Sequence, residues 1–185
     1  MSISDVSICN SALLKLGADR INELTDDSKE AKLCNEQYSK IRDDLLREHP
    51  WNFAIMRVEL ALLVSTPEFG YSNEFQLPTD CMRVLKLHED VEFKIEGRKL
   101  LTDNGTIKIK YIKSVTDPSQ FDANFAEALS AKLAAELSYA LVQSVSLTDR
   151  VIAQAAAIIS KAKTMDAQEG SAEQFANDFY LNARF

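Results

Sequence analysis

The sequence predicts an α+β fold that is predominantly helical: a four-helix body made of two N-terminal and two C-terminal helices, with a small antiparallel β region inserted between the pairs. Three observations predict it. Apolar residues recur at helical spacing before residue 49 and after residue 118, as in Ala31, Cys34, Tyr38, Ile41 and Leu45. Between them the pattern alternates, Val91, Phe93 and Ile95 against Glu92, Lys94 and Glu96. The stretch 49–87 joins the two regimes and holds the only Trp and three of the four Pro.

The elements follow in order. Ser4 is placed to cap a first helix whose Ile8, Ala12, Leu13 and Leu16 share one face, and Gly17 supplies the left-handed residue that ends it. Thr25, followed by Asp26 and Asp27, is the expected cap of a second helix, because a hydroxyl and two carboxylates complement a helix N-terminus. That helix should stop near Glu48, since His49 precedes Pro50 and is pushed out of the α region. The apolar segment 53–64 reads as a buried strand. A turn-rich loop follows at 66–71, then short strands at 75–77 and 82–87. Gly97-Arg98 and Asn104-Gly105 are read as tight turns, the second opening onto a strand with Ile107, Ile109 and Tyr111 on one face and Lys108 and Lys110 on the other. The result is one small sheet that needs a helix layer against its apolar face. After Pro118, Phe121, Phe125, Leu129, Leu133, Leu137 and Leu141 recur every four residues and supply that layer. Ser146 or Thr148 should cap a fourth helix with Ile152, Ala155, Ala156, Ile159 and Ala162 on its face. The last segment, 170–185, is an aromatic tail, and the whole chain is expected to be a single domain with helices at about 4–48 and 119–168 and a β-rich insertion at about 51–117.

Composition excludes some functions. With 21 basic and 28 acidic residues the net charge is −7, which opposes coating of nucleic acid or anionic lipid. Three widely spaced cysteines read as small buried apolar residues, and no apolar run reaches the roughly 20 residues that span a bilayer. The protein is expected to be made in a cytoplasm and to stay soluble. His49 and His88 sit in no metal or catalytic motif, and the glycines form no phosphate loop. The acidic clusters at 26–30 and 43–48 read as helix ends and solvated faces. No enzyme activity, cofactor or metal is expected. Lys108, Lys110 and Lys113, with Arg98 and Lys99 expected across a hairpin, form the one local basic concentration, read as a charged face that discourages edge pairing.

At PWNFAIMR, followed by LPTDCMRVLKL, the sequence resembles the adaptor proteins of short-tailed bacteriophages, called tail tubular protein A or head-to-tail connector proteins. The opening is similar too, with LGAD and then LTDDSKEAKLCNEQYSKIRDDLLREHPWNFA. The resemblance runs from about Ile3 to the fourth helix. It implies a structural virion protein that forms a dodecameric ring beneath the portal protein, extends the DNA channel and offers a platform to the tail nozzle and fibres. Genomic DNA would pass without sequence-specific binding, and no membrane is involved. The tail residues Phe175, Phe179, Tyr180 and Phe185 suit a portal-docking arm or packing on their own domain. Phe69 and Tyr71, on a turn that cannot bury both, are the expected partner-facing loop, and Trp51 and Phe53 the expected anchor between helices and sheet. Two other readings stand beside this one: a tail-associated carbohydrate hydrolase using Asp26 or Glu30 with Asp103, and a small non-catalytic binding module.

Overall fold

The computed structural model describes residues 3–169. Its architecture is α+β, with four helices and two small antiparallel sheets. Helix α1 (Asp5–Leu16) starts at a reciprocal cap: the Ser4 hydroxyl accepts from the Ser7 N–H at 3.1 Å, and the Ser7 hydroxyl from the Ser4 N–H at 2.8 Å. Gly17 ends it at φ 68°.

Helix α2 (Lys29–Glu48) begins three residues beyond the expected Thr25–Asp26 start, and its cap is Ser28, whose hydroxyl accepts from the Ala31 N–H at 3.2 Å. Asp26 instead closes a turn by accepting from the N–H groups of Asn22 (2.8 Å) and Glu23 (3.1 Å), so its carboxylate is spent before the helix starts. The predicted stripe Ala31, Cys34, Tyr38, Ile41 and Leu45 is buried, and His49 leaves the helix extended, as Pro50 requires.

The segment 53–64 is not one buried strand. It is a 3-10 turn (Asn52–Ala54), strand β1 (Ile55–Glu59), the buried Leu60, and strand β2 (Ala61–Leu62). These two strands are edges of different sheets and are largely exposed. Apolar content here is spread over both faces, so composition looks like a core strand although only Ala54 and the switch point, Leu60, are buried. The remaining strands are β3 (Asn73–Gln76), β4 (Cys81–Leu87), β5 (Lys94–Glu96), β6 (Lys99–Thr102) and β7 (Lys108–Lys113).

They form an inner sheet of order β1-β7-β4 and an outer sheet of order β2-β3-β6-β5, all pairs antiparallel. Of the two expected tight turns, Gly97-Arg98 makes the β5–β6 hairpin with φ of 52° and 64°. Asn104-Gly105 makes none; it carries the chain from the outer sheet to the inner one. The single sheet of the sequence prediction is therefore two, and they pack on each other. Phe75, Leu77, Leu87, Leu100, Ile107, Ile109 and Tyr111 fill the space between them. On its other face the inner sheet presents Ile112, with Met82 and Leu85, to the helices. Sheet alternation explains the split, because Ile109 and Tyr111 point one way along β7 and Ile112 the other.

Helix α3 (Ala123–Val142) is the central helix, packed against α1, α2 and α4. Its predicted stripe is supplemented by small buried residues, Ala128, Ser130, Ala131, Ala134 and Ser138, which let neighbouring backbones approach. Helix α4 (Val145–Gln168) starts at Ser144 rather than Ser146 or Thr148. Its buried face is rotated from the expected one: Val151, Ala155, Ala162 and Asp166 are buried, whereas Ile152 and Ala156 are exposed.

Candidate partner-binding surfaces

The joint between α2 and β1 is built from rings. Trp51 is fully buried, donates from Nε1 to the Leu45 carbonyl at 2.9 Å, and meets Phe125 of α3 edge-on with centroids 5.1 Å apart. Phe53 lies 5.0 Å from Phe125 and 5.9 Å from Phe121. The two residues expected to anchor helices to sheet are thus inside one aromatic cluster, and β1 begins where it ends.

The residue that sequence reasoning missed here is Asp166. It is buried near the end of α4, its carboxylate accepts from the Asn52 N–H at 3.0 Å and lies 3.0 Å from His49 Nε2, and its carbonyl accepts from Asn52 Nδ2 at 2.6 Å. This clasp ties the last turn of α4 to the aromatic joint. A signal existed, since the stripe Ala155, Ile159, Ala162 reaches Asp166 at the next helical step, an acid where an apolar residue was due.

The acidic cluster near the end of α2 also binds the helices together. Asp44 pairs with Lys132 of α3, and Glu48 accepts from Lys163 of α4 at 2.6 Å and from Lys132 at 3.4 Å. The Lys163 hydrogen bond holds the Glu48 carboxyl below its ordinary range against the opposing effect of burial. Of the acids named for hydrolysis, Asp26 is engaged in its turn before α2, and Asp103 with Ser72, whose N–H and hydroxyl donate to it at 2.8 and 3.0 Å. Among the described residues no three His, Cys, Asp or Glu side chains are placed to hold a metal ion, and no helix is long and apolar enough to cross a membrane.

The loop 66–72 lies over the far face of the outer sheet. It is held by the Asp103 bonds to Ser72 at one end and, just before the other, by the Ser65 hydroxyl donating to the Glu74 carboxylate and the Leu63 N–H donating to the Glu74 carbonyl at 2.9 Å. Its tip projects: Phe69 is 88% exposed, whereas Tyr71 is half-buried. Beneath it runs a groove of about 630 Å³ with Lys94, Lys99, Glu74 and Leu101 on its walls. Glu74, itself buried, accepts from Lys99 at 2.7 Å and from the Ser65 hydroxyl, and these two bonds hold its carboxyl below the usual range.

The expected basic concentration is divided. Arg98 donates to the Pro78 and Thr79 carbonyls at 2.8 and 3.0 Å and Lys99 to Glu74, both on the outer sheet. Lys108, Lys110 and Lys113 are on β7 of the inner sheet. The tail residues Phe175, Phe179, Tyr180 and Phe185 lie outside the described residues. Compared with known proteins, the chain matches no protein-family model and no curated protein.

Proposed function

We propose that this protein is a structural, non-catalytic component of a bacteriophage virion: a head-to-tail adaptor that assembles as a ring, dodecameric in the family it resembles, below the portal protein. It would extend the channel through which the genomic DNA passes and present a platform to the tail nozzle and fibres. Two things support the reading. One is the sequence resemblance through the joint and the helix before it. The other, which carries the structural side, is Phe69, a large ring held out in solvent on a loop whose two ends are hydrogen-bonded in place. An exposed aromatic on a fixed support is the form of an interface anchor. The net charge of −7 suits a wall along which DNA slides without adhering.

Mixing the full chain with purified portal and nozzle proteins, and weighing the products by light scattering, tests the proposal. Association with portal in fixed stoichiometry is the expected result, and failure to associate under assembly conditions overturns it. Phe69→Ala should weaken capture of one of the two partners at least about tenfold, as loss of an anchor does. Its own stability should change by less than about 0.5 kcal/mol, because the side chain is solvent-exposed.

A further inference from the structure

Strand β1 is an edge of the inner sheet, paired on one side with β7. In an antiparallel ladder, residues that exchange both hydrogen bonds with the partner alternate with residues whose N–H and C=O point away. Leu60 N–H donates to the Ile107 carbonyl at 2.8 Å, one step past the pair Glu59↔Lys108, and the register along β1 is unbroken. Val58 and Met56 therefore bond towards β7, and Arg57 and Glu59 direct their backbone groups outward, while the Ile55 N–H donates to the Asn52 carbonyl. Among the described residues no strand takes them up.

The side chains around this edge are sorted by face. On the face away from the outer sheet, Arg57, Lys110 and Lys86 stand directly opposite one another across β1, β7 and β4. Lys108 is beside them, its Nζ 3.8 Å from a Glu59 carboxylate oxygen, and a groove of about 480 Å³ crosses the same three strands, with His88 among its lining residues. Arg57 and Lys86 have no ion-pair partner among the described residues. Lysine on an edge strand discourages aggregation, and Arg57 and Lys86 stand on the two edges of this sheet with Lys110 between them. On the other face Met56 and Val58, opposite Tyr111 and Ile109, remain 45% and 36% exposed.

We infer that the outer edge of β1 is a docking site for an extended peptide segment of a partner protein, one whose residues alternate between acidic and apolar. Added as a strand, such a peptide bonds to the outward N–H and C=O of Arg57, sets its carboxylates against Arg57 and the cations beside it, and covers Met56 and Val58 with its apolar side chains. A nucleic acid fits less well. It has no strand to add, it would leave the apolar face bare, and beyond this short file it meets a chain of net charge −7. A second copy pairing through β1 about Arg57 would set Arg57 against Arg57. The inference is independent of the virion reading.

Fluorescence anisotropy tests it, with the full chain titrated into a short labelled peptide alternating valine and glutamate. A peptide of the same composition in two blocks, and a short DNA duplex, serve as competitors. Saturable binding is expected, weakening as salt is added. Arg57→Gln should cost about tenfold by removing the charge-assisted contact. Arg57→Pro should cost more, because it also deletes the outward N–H while sparing the bonds to β7, and proline is tolerated at such an edge position. Circular dichroism checks that both variants fold. The inference is overturned if the alternating peptide does not bind, if the block peptide competes equally, if DNA displaces the peptide, or if Arg57→Gln binds as well as the parent. Stronger competition by a peptide of residues 170–185 would also overturn it, by assigning the edge to this chain's own segment.

Discussion

At the scale of residues, single polar groups in apolar surroundings decide how the layers are fixed. Removing the carboxylate in Asp166→Ala leaves the Asn52 N–H and His49 without their acceptor, at a cost of about 2 kcal/mol, to be read by urea denaturation. Trp51, the only tryptophan, reports such unfolding by its fluorescence. Glu74 gives a pH-dependent case. Its carboxyl titrates below the ordinary 4.5 in the folded protein because Lys99 and then Ser65 favour the charged form. Its contribution is therefore complete above about pH 4.5 and disappears as pH falls through the lowered folded value. Thermal melts of Glu74→Gln should fall below the parent at pH 7, and the gap should close at acid pH; a gap that is constant with pH would contradict this. The burial of Trp51 was legible in the sequence because a large ring beside a forced helix stop has few other places to go. Asp166 was not, because its partners are more than 100 residues away and a lone acid at a helix end is ordinarily solvated.

At the scale of elements, the helices were readable to within about one turn because their information is local: a hydroxyl cap, a period of 3.6 and a left-handed terminator. Errors arose where two local devices competed, as when Asp26 served a turn and left Ser28 to cap α2. The strands were less legible. Alternation fixes which residues share a face, but not which strand becomes the neighbour, and Asn104-Gly105 is chemically suited to a hairpin that the topology does not use. The C-terminal end of α3 gives a direct test of terminator chemistry. Gln143 is in the left-handed region at φ 56°, with its N–H donating to the Tyr139 carbonyl, where glycine is preferred. Gln143→Gly should stabilise the protein by about 1 kcal/mol, measured by thermal unfolding.

At the scale of the whole molecule, the inner sheet lies between two apolar cores, one shared with the helices and one with the outer sheet. The outer sheet touches solvent on most of its far face, so its cohesion depends on the thinner core. Phe75→Ala, which hollows that core, should cost about 3–5 kcal/mol, with the protection lost first from amides of β5 and β6 in hydrogen exchange while α3 stays protected. Simultaneous loss in α3 would show a single cooperative unit instead. The Asp166 clasp has a mechanical consequence at this scale. A helix pulled by its free end peels from its neighbours one turn at a time, and each turn in succession bears the whole load. In this molecule the end of α4 is fastened sideways to His49 and Asn52, so tension on the chain beyond Glu169 passes directly into the end of α2 and the start of β1. From there it acts along β1, whose ladder to β7 resists in shear with its rungs loaded together. The last turn of α4 is a rivet, and a chain so riveted carries traction through its sheet without unwinding its helical body.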